Sequence, residues 1–483
     1  MTKEVVILGA GPAGLMAAWD LMEAGYQVTI LEKEQQVGGM CSTQTFQGKK
    51  GEYRFDYGGH RFITKNPKLL EFVDRLMGDD LLFAQRKSVI RYRGRIYAYP
   101  LALKDLIRNA PMPLLFGSLF DLAKSIFKPK PNDRSKVSFA QWIESRFGKT
   151  LYTHFFEAYT AKLWGIDPKN LSGDWASQRI SLIDLKDIVK RLIPQKKSTT
   201  SIRTYARQYR YPKWGYGQLY TRLAEELKKK GVTILLRSEV CEFNYSQEQN
   251  IQKISSVAFK SSDEKTSKPV SNNLVTINCD HIISTIPLNI MCSLTGFDSG
   301  LSYRSLRFLN MPMNTNNISD NTWQYLSDPE ILGTRLQEPK RRSSFMSPEG
   351  ETSVMIEIPC NKGDEIWKAS GEKLKARVME DLSNLGVEPS LNDGEYFTEF
   401  TEHAYPLMDM KYQEKRVQAI THLNQYANLI MSGRQGTFRY IFSDTAMEMG
   451  MMAAQSIIDG VDKRSEIFDY RNEKIVIETQ SVV

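Results

Sequence analysis

Two periods of apolar spacing divide the chain. Residues 4–8, EVVIL, form a short continuous apolar run, and residues 27–31 repeat it, so both read as buried strands. Between them, residues 15–24 carry apolar side chains at helical spacing and stop at Gly25. The same reasoning predicts helices over 66–77, 139–159, 164–188, 218–230 and 444–458. Residues 87–99, KSVIRYRGRIYAY, alternate like a hairpin about Arg93-Gly94. Strands are expected at 232–240, 281–287, 323–325, 333–336 and 353–358, and a polar hairpin with a loose tip at 246–273. Residues 101–127 are apolar and helical in pattern, with breaks at Pro111 and Pro113. The part from Pro113 to Phe127 reads as a core helix or as a membrane-facing element that would make peripheral contact with a lipid surface.

Length changes the picture little: 483 residues imply two domains, or one with a large insertion. No apolar run reaches the roughly 20 residues needed to span a bilayer, and the N-terminus does not read as a secretory signal. The five cysteines, at 41, 241, 279, 292 and 360, stand singly, which argues for a reducing, cytoplasmic setting and against a disulfide framework or zinc site. The net charge of +8 is modest but uneven. From Arg179 to Lys213 ten basic residues face two acidic ones, Asp184 and Asp187. Such a stretch is a solvated surface, a site for a phosphorylated ligand, or a face for an anionic membrane. No nucleic-acid-binding motif accompanies it, so nucleic acid is not expected as a partner.

The chemistry starts at Gly9-Ala10-Gly11-Pro12-Ala13-Gly14, which joins the first strand to the first helix. Gly9 allows the tight turn, Gly11 lets the backbone approach a pyrophosphate, and Gly14 lets helix and strand pack closely. Glu32, at the end of the second strand, is placed to accept hydrogen bonds from a ribose. The agreement of strand, glycine loop, helix, strand and acidic residue makes this a specific dinucleotide signal. Val37-Gly38-Gly39-Met40-Cys41-Ser42 adds a second glycine pair, an extension similar to that of flavoproteins binding extended FAD.

Further blocks resemble the UDP-galactopyranose mutases, within the amine-oxidase and protoporphyrinogen-oxidase-like flavoproteins. They are Tyr57-Gly58-Gly59-His60, residues 91–100, Ser138 to Trp142, Tyr159 to Gly165, Trp175 to Arg179, Tyr211-Pro212 before Gly215-Tyr216-Gly217, Ile283-Ser284-Thr285, and Gly433-Arg434 with Phe438-Arg439-Tyr440. They occur in order and cover most of the chain. The resemblance implies an α/β fold: a discontinuous Rossmann-type FAD-binding domain (1–70, 215–300, 420–465), a mixed α+β substrate domain (71–214, 301–419) and a peripheral tail (466–483). It implies non-covalent FAD whose reduced form supplies a nucleophile to the anomeric carbon of a nucleotide sugar, interconverting pyranose and furanose rings with no net redox change.

Arginine suits the displaced pyrophosphate, because its fork is always charged and binds phosphate bidentately. Arg179 and Arg335 match the family arginines, and Tyr440 a family tyrosine near the substrate phosphates, with Tyr405 a second candidate. Gly433 and Arg434 would lie at the FAD pyrophosphate, and Val240 would meet the adenine through its backbone. After Tyr99-Pro100 the chain has Leu101-Ala102-Leu103 where some mutases carry polar residues, which leaves sugar and nucleotide open. The competing activity is an FAD oxidoreductase (oxidase, desaturase or protoporphyrinogen oxidase-like) acting on an apolar or amine substrate; a third reading is a flavoprotein scaffold without activity. Within RFDYGGHRFITK, residues 54–65, Gly58 and Gly59 would let the backbone approach the flavin ring, and His60 would tune it, since histidine titrates near neutral pH.

Overall fold

The structure, a computed structural model, describes residues 3–99, 108–125, 131, 133–179, 208–248, 251–262 and 274–470. The apolar runs Glu4–Leu8 and Gln27–Leu31 pair as parallel strands, Val6 opposite Thr29. They join a five-stranded parallel sheet in the order Leu429–Met431, His281–Ser284, Glu4–Leu8, Gln27–Leu31, Thr233–Leu235. Helices cover such a sheet on both faces, so its strands read as apolar runs rather than alternations. Helix Pro12–Glu23 packs on helix Ser443–Asp459, and the approach is close: a Cβ on Gly450 would stand 2.1 Å from the Ala13 carbonyl oxygen.

The strand expected at 232–240 is two strands. Arg237 takes φ +51°, and the chain leaves the parallel sheet there to begin Ser238–Glu248 in a three-stranded antiparallel sheet. Pro113 does not break a helix. It lies in the first turn of Met112–Ser125, where a missing N–H costs no hydrogen bond. That helix buries Leu114 beside Tyr97 and leaves Met112, Phe116, Leu119 and Phe120 exposed, so it is not a core helix. No helix among the described residues is long and apolar enough to cross a membrane. The helix expected over 139–159 is Phe139–Leu151, a π-helical turn Tyr152–Glu157, then Ala158–Trp164. Past Trp164, the 164–188 stretch has Asp174–Arg179 as its helix among the described residues. Residues 100–103, the side chain of Arg179 and the basic stretch 180–207 lie outside the described residues.

A seven-stranded sheet runs in the order Phe397–Pro406, Tyr303–Met313, Thr352–Cys360, Arg335–Gln337, Trp323–Leu326, Ser88–Tyr92, Arg95–Ala98. The pattern did not mark Tyr303–Met313, because ten of its eleven residues are buried and it does not alternate. Successive side chains of a strand point to opposite faces. Leu309, Met311, Leu336, Val354, Ile356 and Ile358 form one face and bury against Leu374, Val378 and Leu382 of helix Gly371–Asn384. Cross-strand partners place Trp323 beside Gln337, Tyr325 beside Arg335, and Glu357 beside both Arg335 and Phe308 on the opposite face. That polar and aromatic face is the floor of the candidate site.

Candidate active site

The dinucleotide loop has a division of labour among its glycines. Gly9 turns at φ +98°, and a Cβ on Gly14 would stand 2.0 Å from the Gly9 carbonyl oxygen. Nothing lies within 4 Å of a Cβ on Gly11, so that side of the loop is open to a ligand. Gly11 caps helix Pro12–Glu23, whose free amides and dipole favour a phosphate. Glu32 is buried and accepts from the Ala10 amide at 2.7 Å and the Glu34 amide at 2.9 Å. Desolvation raises its pKa, and those amides oppose the shift. Gly38 donates its amide to Ala10 at 2.8 Å, and Gly39 takes φ +52° beside Gly11, so the second glycine pair returns to the first. Gly433, at φ +75°, approaches Ala13 on the same loop. Val240 stands half-buried at a bulge in the Ser238–Glu248 strand, whose first amide donates to the Glu32 carbonyl. An open phosphate cradle, a buried acid and a nearby strand backbone fit the FAD that the resemblance implies.

The loop Tyr57–His60 is anchored by Asp56, which is buried and accepts from the Thr43 and Tyr211 hydroxyls and the Tyr216 amide. Gly58 needs its glycine, at φ +114°. A Cβ on Gly59 would lie 3.4 Å from Gln337 Oε1, 3.5 Å from Arg335 Nη1 and 3.6 Å from Arg342 Nη2. The glycine pair therefore lies over the polar face of the seven-stranded sheet. His60 stacks on Tyr216 with ring centroids 5.2 Å apart, and its Nε2 lies 3.0 Å from the Tyr57 carbonyl.

Titration of His60 near neutrality does not hold. Desolvation lowers its pKa to about 4; Asp56 and the Tyr57 carbonyl oppose this, and Arg434 and Arg342 add to it. The ring is neutral at pH 7. Between about pH 4 and the usual histidine value near 6.5 the unfolded chain binds the extra proton, so stability from this residue is present above that window and is lost as pH falls through it. The expected result is a ring-proton NMR resonance of His60 that stays constant from pH 8 to about pH 5. An inflection near pH 6.5 would show a solvated ring instead.

Arg335 is the centre of the site. It is buried, its Nη2 donates to the Tyr405 hydroxyl at 2.8 Å and lies 2.9 Å from Glu357 Oε2. Burial alone would lower its pKa, but Glu357, with Tyr405, Tyr159 and Tyr325, holds it well above the ordinary value. Gln337 donates to Glu357, and Arg342 donates to Gln337, which extends the chain of polar groups past Gly59. Tyr405 packs against Tyr440 with centroids 5.8 Å apart and against Trp164 at the same distance. Arg434 parts company with Gly433: its guanidinium lies 4.4 Å over Tyr440 and 5.6 Å over Tyr405, and donates to the Ala404 carbonyl at 2.6 Å. It faces the Arg335 cluster, whereas Gly433 faces the dinucleotide loop.

The structure thus brings Gly58, Gly59, His60, Arg335, Tyr405, Tyr440 and Arg434 together. The sequence reading missed Glu357, Gln337 and Arg342. A glutamate at an inward position of the apolar strand TSVMIEIPC was the available signal, since a buried acid needs a partner. It also missed Lys162, whose Nζ lies 2.8 Å from the carbonyl oxygens of Leu326 and Asp328, 3.0 Å from Ile331 and 2.9 Å from Gly333. This cage ties the loop that precedes Arg335 to the helix carrying Tyr159 and Trp164. Lys162→Met leaves four carbonyls without their donor, and a loss on the order of 3 kcal/mol is expected from urea unfolding.

The sequence profile of the flavin-containing amine oxidoreductases matches residues 12–458. A Klebsiella pneumoniae protein described as a probable UDP-galactopyranose mutase is 28% identical over 174 residues, covering 35% of this chain and 43% of that protein. The coproporphyrinogen III oxidase of Staphylococcus aureus is 25% identical over 274 residues, covering 52% of this chain and 56% of that protein. The chain thus spans about half the length of these curated relatives. A crystal structure of reduced UDP-galactopyranose mutase superposes with a TM-score of 0.78 at 19% identity over the full length of both chains, and so shares the fold. The chain belongs to the flavin-containing amine oxidoreductase family and is an FAD-dependent enzyme.

Proposed function

We propose that the enzyme interconverts pyranose and furanose forms of a nucleotide sugar, without net redox change. The observation that carries this is Arg335: a buried guanidinium held by Glu357 and Tyr405 on an aromatic face, beside the Gly58-Gly59 loop. An oxidase for an apolar substrate has no use for such a charge, whereas a departing nucleotide diphosphate needs one. Reduced FAD, when bound, supplies the nucleophile. Residues 1–70, 215–300 and 420–465 would hold it, chiefly through Gly9, Gly11, Gly14, Glu32, Gly38, Gly39, Val240 and Gly433.

Residues 71–214 and 301–419 would hold the sugar nucleotide. Arg335 neutralises the leaving phosphates, Tyr405 and Tyr440 hydrogen-bond them, and Arg434 supports both tyrosines from behind. Arg179 is assigned the second phosphate contact on its sequence block alone. Neutral His60 is a positioning residue that holds the Gly58-Gly59 backbone through the Tyr57 carbonyl and its stack on Tyr216.

The test is anaerobic assay of the FAD enzyme, oxidised and dithionite-reduced, with uridine and thymidine diphosphosugars. Ring interconversion by the reduced form alone, without stoichiometric use of reductant, is expected. Substrate-dependent oxygen consumption with no ring interconversion would instead identify an oxidase, the activity of the S. aureus relative.

A further inference from the structure

Arg335 has its carboxylate; two other arginines of the same face do not. Arg342 is only 3% exposed. Its Nη2 donates to Gln337, while its Nε and Nη1 are buried with no acceptor among the described residues. Arg86 lies just before strand Ser88–Tyr92, and all three of its guanidinium nitrogens are buried without an acceptor among the described residues. Its guanidinium lies 5.2 Å over Tyr99 and 5.8 Å over Trp323, and Arg61 lies 5.8 Å over the same indole. Arg342 lies 6.0 Å over Tyr211, which packs edge-on against Tyr209. Aromatic faces stabilise a cation, but they accept no N–H in the guanidinium plane.

Carboxylates are not lacking nearby. Asp320 lies 2.6 Å from Lys87, and Glu338 accepts from the Ile318 and Ser319 amides and lies 3.5 Å from Arg341. Among the described residues, neither accepts a hydrogen bond from the orphaned nitrogens of Arg86 or Arg342. Five buried guanidinium nitrogens of Arg86 and Arg342 without acceptors among the described residues, beside the paired guanidinium of Arg335, describe a place for an oxyanion.

The strand register fixes where this place is. Arg335 stands opposite Tyr325, and Gln337, which holds Arg342, stands opposite Trp323. The two positions are two residues apart, about 7 Å along the strand. Gly59 lies between them, within reach of both Arg335 and Arg342. The unpaired guanidinium groups therefore lie beside the place where Arg335 would meet a diphosphate, within the length of one sugar nucleotide.

We propose that Arg86 and Arg342, with Arg61 and Trp323, form a second oxyanion subsite that takes an acidic group, carboxylate or phosphate, on the sugar end of the substrate. The word sugar rests on the mutase reading; the oxyanion does not. The enzyme so described acts on an acidic nucleotide sugar rather than a neutral one.

The experiment titrates the FAD holoenzyme calorimetrically with galacturonate, galactose 6-phosphate and galactose, each with and without saturating UDP, and with UDP alone. One of the two acidic sugars is expected to bind about tenfold or more tightly than galactose, and to do so with UDP present. The tighter one tells whether the group is a carboxylate or a phosphate. Arg86→Gln and Arg342→Gln are each expected to remove that preference and to leave UDP binding within about twofold. Flavin absorbance checks that each variant is folded, and Arg86→Gln, at a partly exposed residue, serves if Arg342→Gln is not.

No preference over galactose, a preference that UDP abolishes, or one that survives both substitutions overturns the subsite. UDP that binds while acidic sugars show no preference overturns the subsite alone. Acidic sugars that bind while UDP does not support the subsite and overturn the nucleotide reading.

Discussion

Replacing Arg335 by methionine is expected to lower turnover by about 100-fold or more while the protein keeps its yellow colour. Two effects are combined in that variant. Glu357, wholly buried, loses its cation, and an uncompensated buried charge costs about 3–5 kcal/mol. The Tyr405 hydroxyl also loses its donor. The pair Arg335→Met with Glu357→Gln separates stability from chemistry, because it removes both charges at once. Urea unfolding of this double variant is expected to recover most of the loss, while turnover stays down. Recovery of turnover in the double variant would make Arg335 a structural counter-ion of Glu357 and no contact of the substrate.

Gly14→Ala is expected to yield little folded protein and no bound FAD. The added methyl would stand 2.0 Å from the Gly9 carbonyl oxygen and 3.3 Å from the Ile7 side chain. Neither the loop nor the first strand can move without disturbing the parallel sheet, so a destabilisation above about 3 kcal/mol is expected, at the upper end for overpacking. Gly11→Ala is the control. Nothing lies within 4 Å of its methyl, so the apoprotein should unfold as the wild type does. Its methyl enters the space open to the pyrophosphate, and FAD affinity is expected to fall about tenfold or more. Thermal unfolding with and without added FAD distinguishes the two. Equal behaviour of both variants would mean that the glycines share one role.

The arginines and the histidine show where residue type misleads. His60 has an ordinary pKa near neutrality, but Tyr216 on its ring and the surrounding burial desolvate it, and two arginines oppose its charge. Gly433 and Arg434 are neighbours in sequence with one expected role. At the first turn of a helix the bare backbone of Gly433 comes against Ala13, where a Cβ would stand 2.8 Å away, while the Arg434 guanidinium extends to Tyr440. Arg342 was invisible in PKRRSS, since a basic run reads as solvated surface until the sheet shows what it faces.

The sequence by itself determined the dinucleotide half of the site. Gly9 to Glu32 is one strand, one turn, one helix and one strand, and the geometry of such a local unit is set by residues a few positions apart. Alternation within the expected strand also puts Trp323 and Tyr325 on one face, whereas Gln337 lies past the expected strand 333–336 and joins Arg335 only in the structure. Only the tertiary structure decided which strands lie side by side. The register that sets Glu357 against Arg335, and Trp323 against Gln337, joins segments whose order in the sheet no single strand encodes. Pairing is settled by the burial of Leu336, Val354 and Ile356 against a helix on the far face, and the charged cluster on the near face is where that packing leaves it.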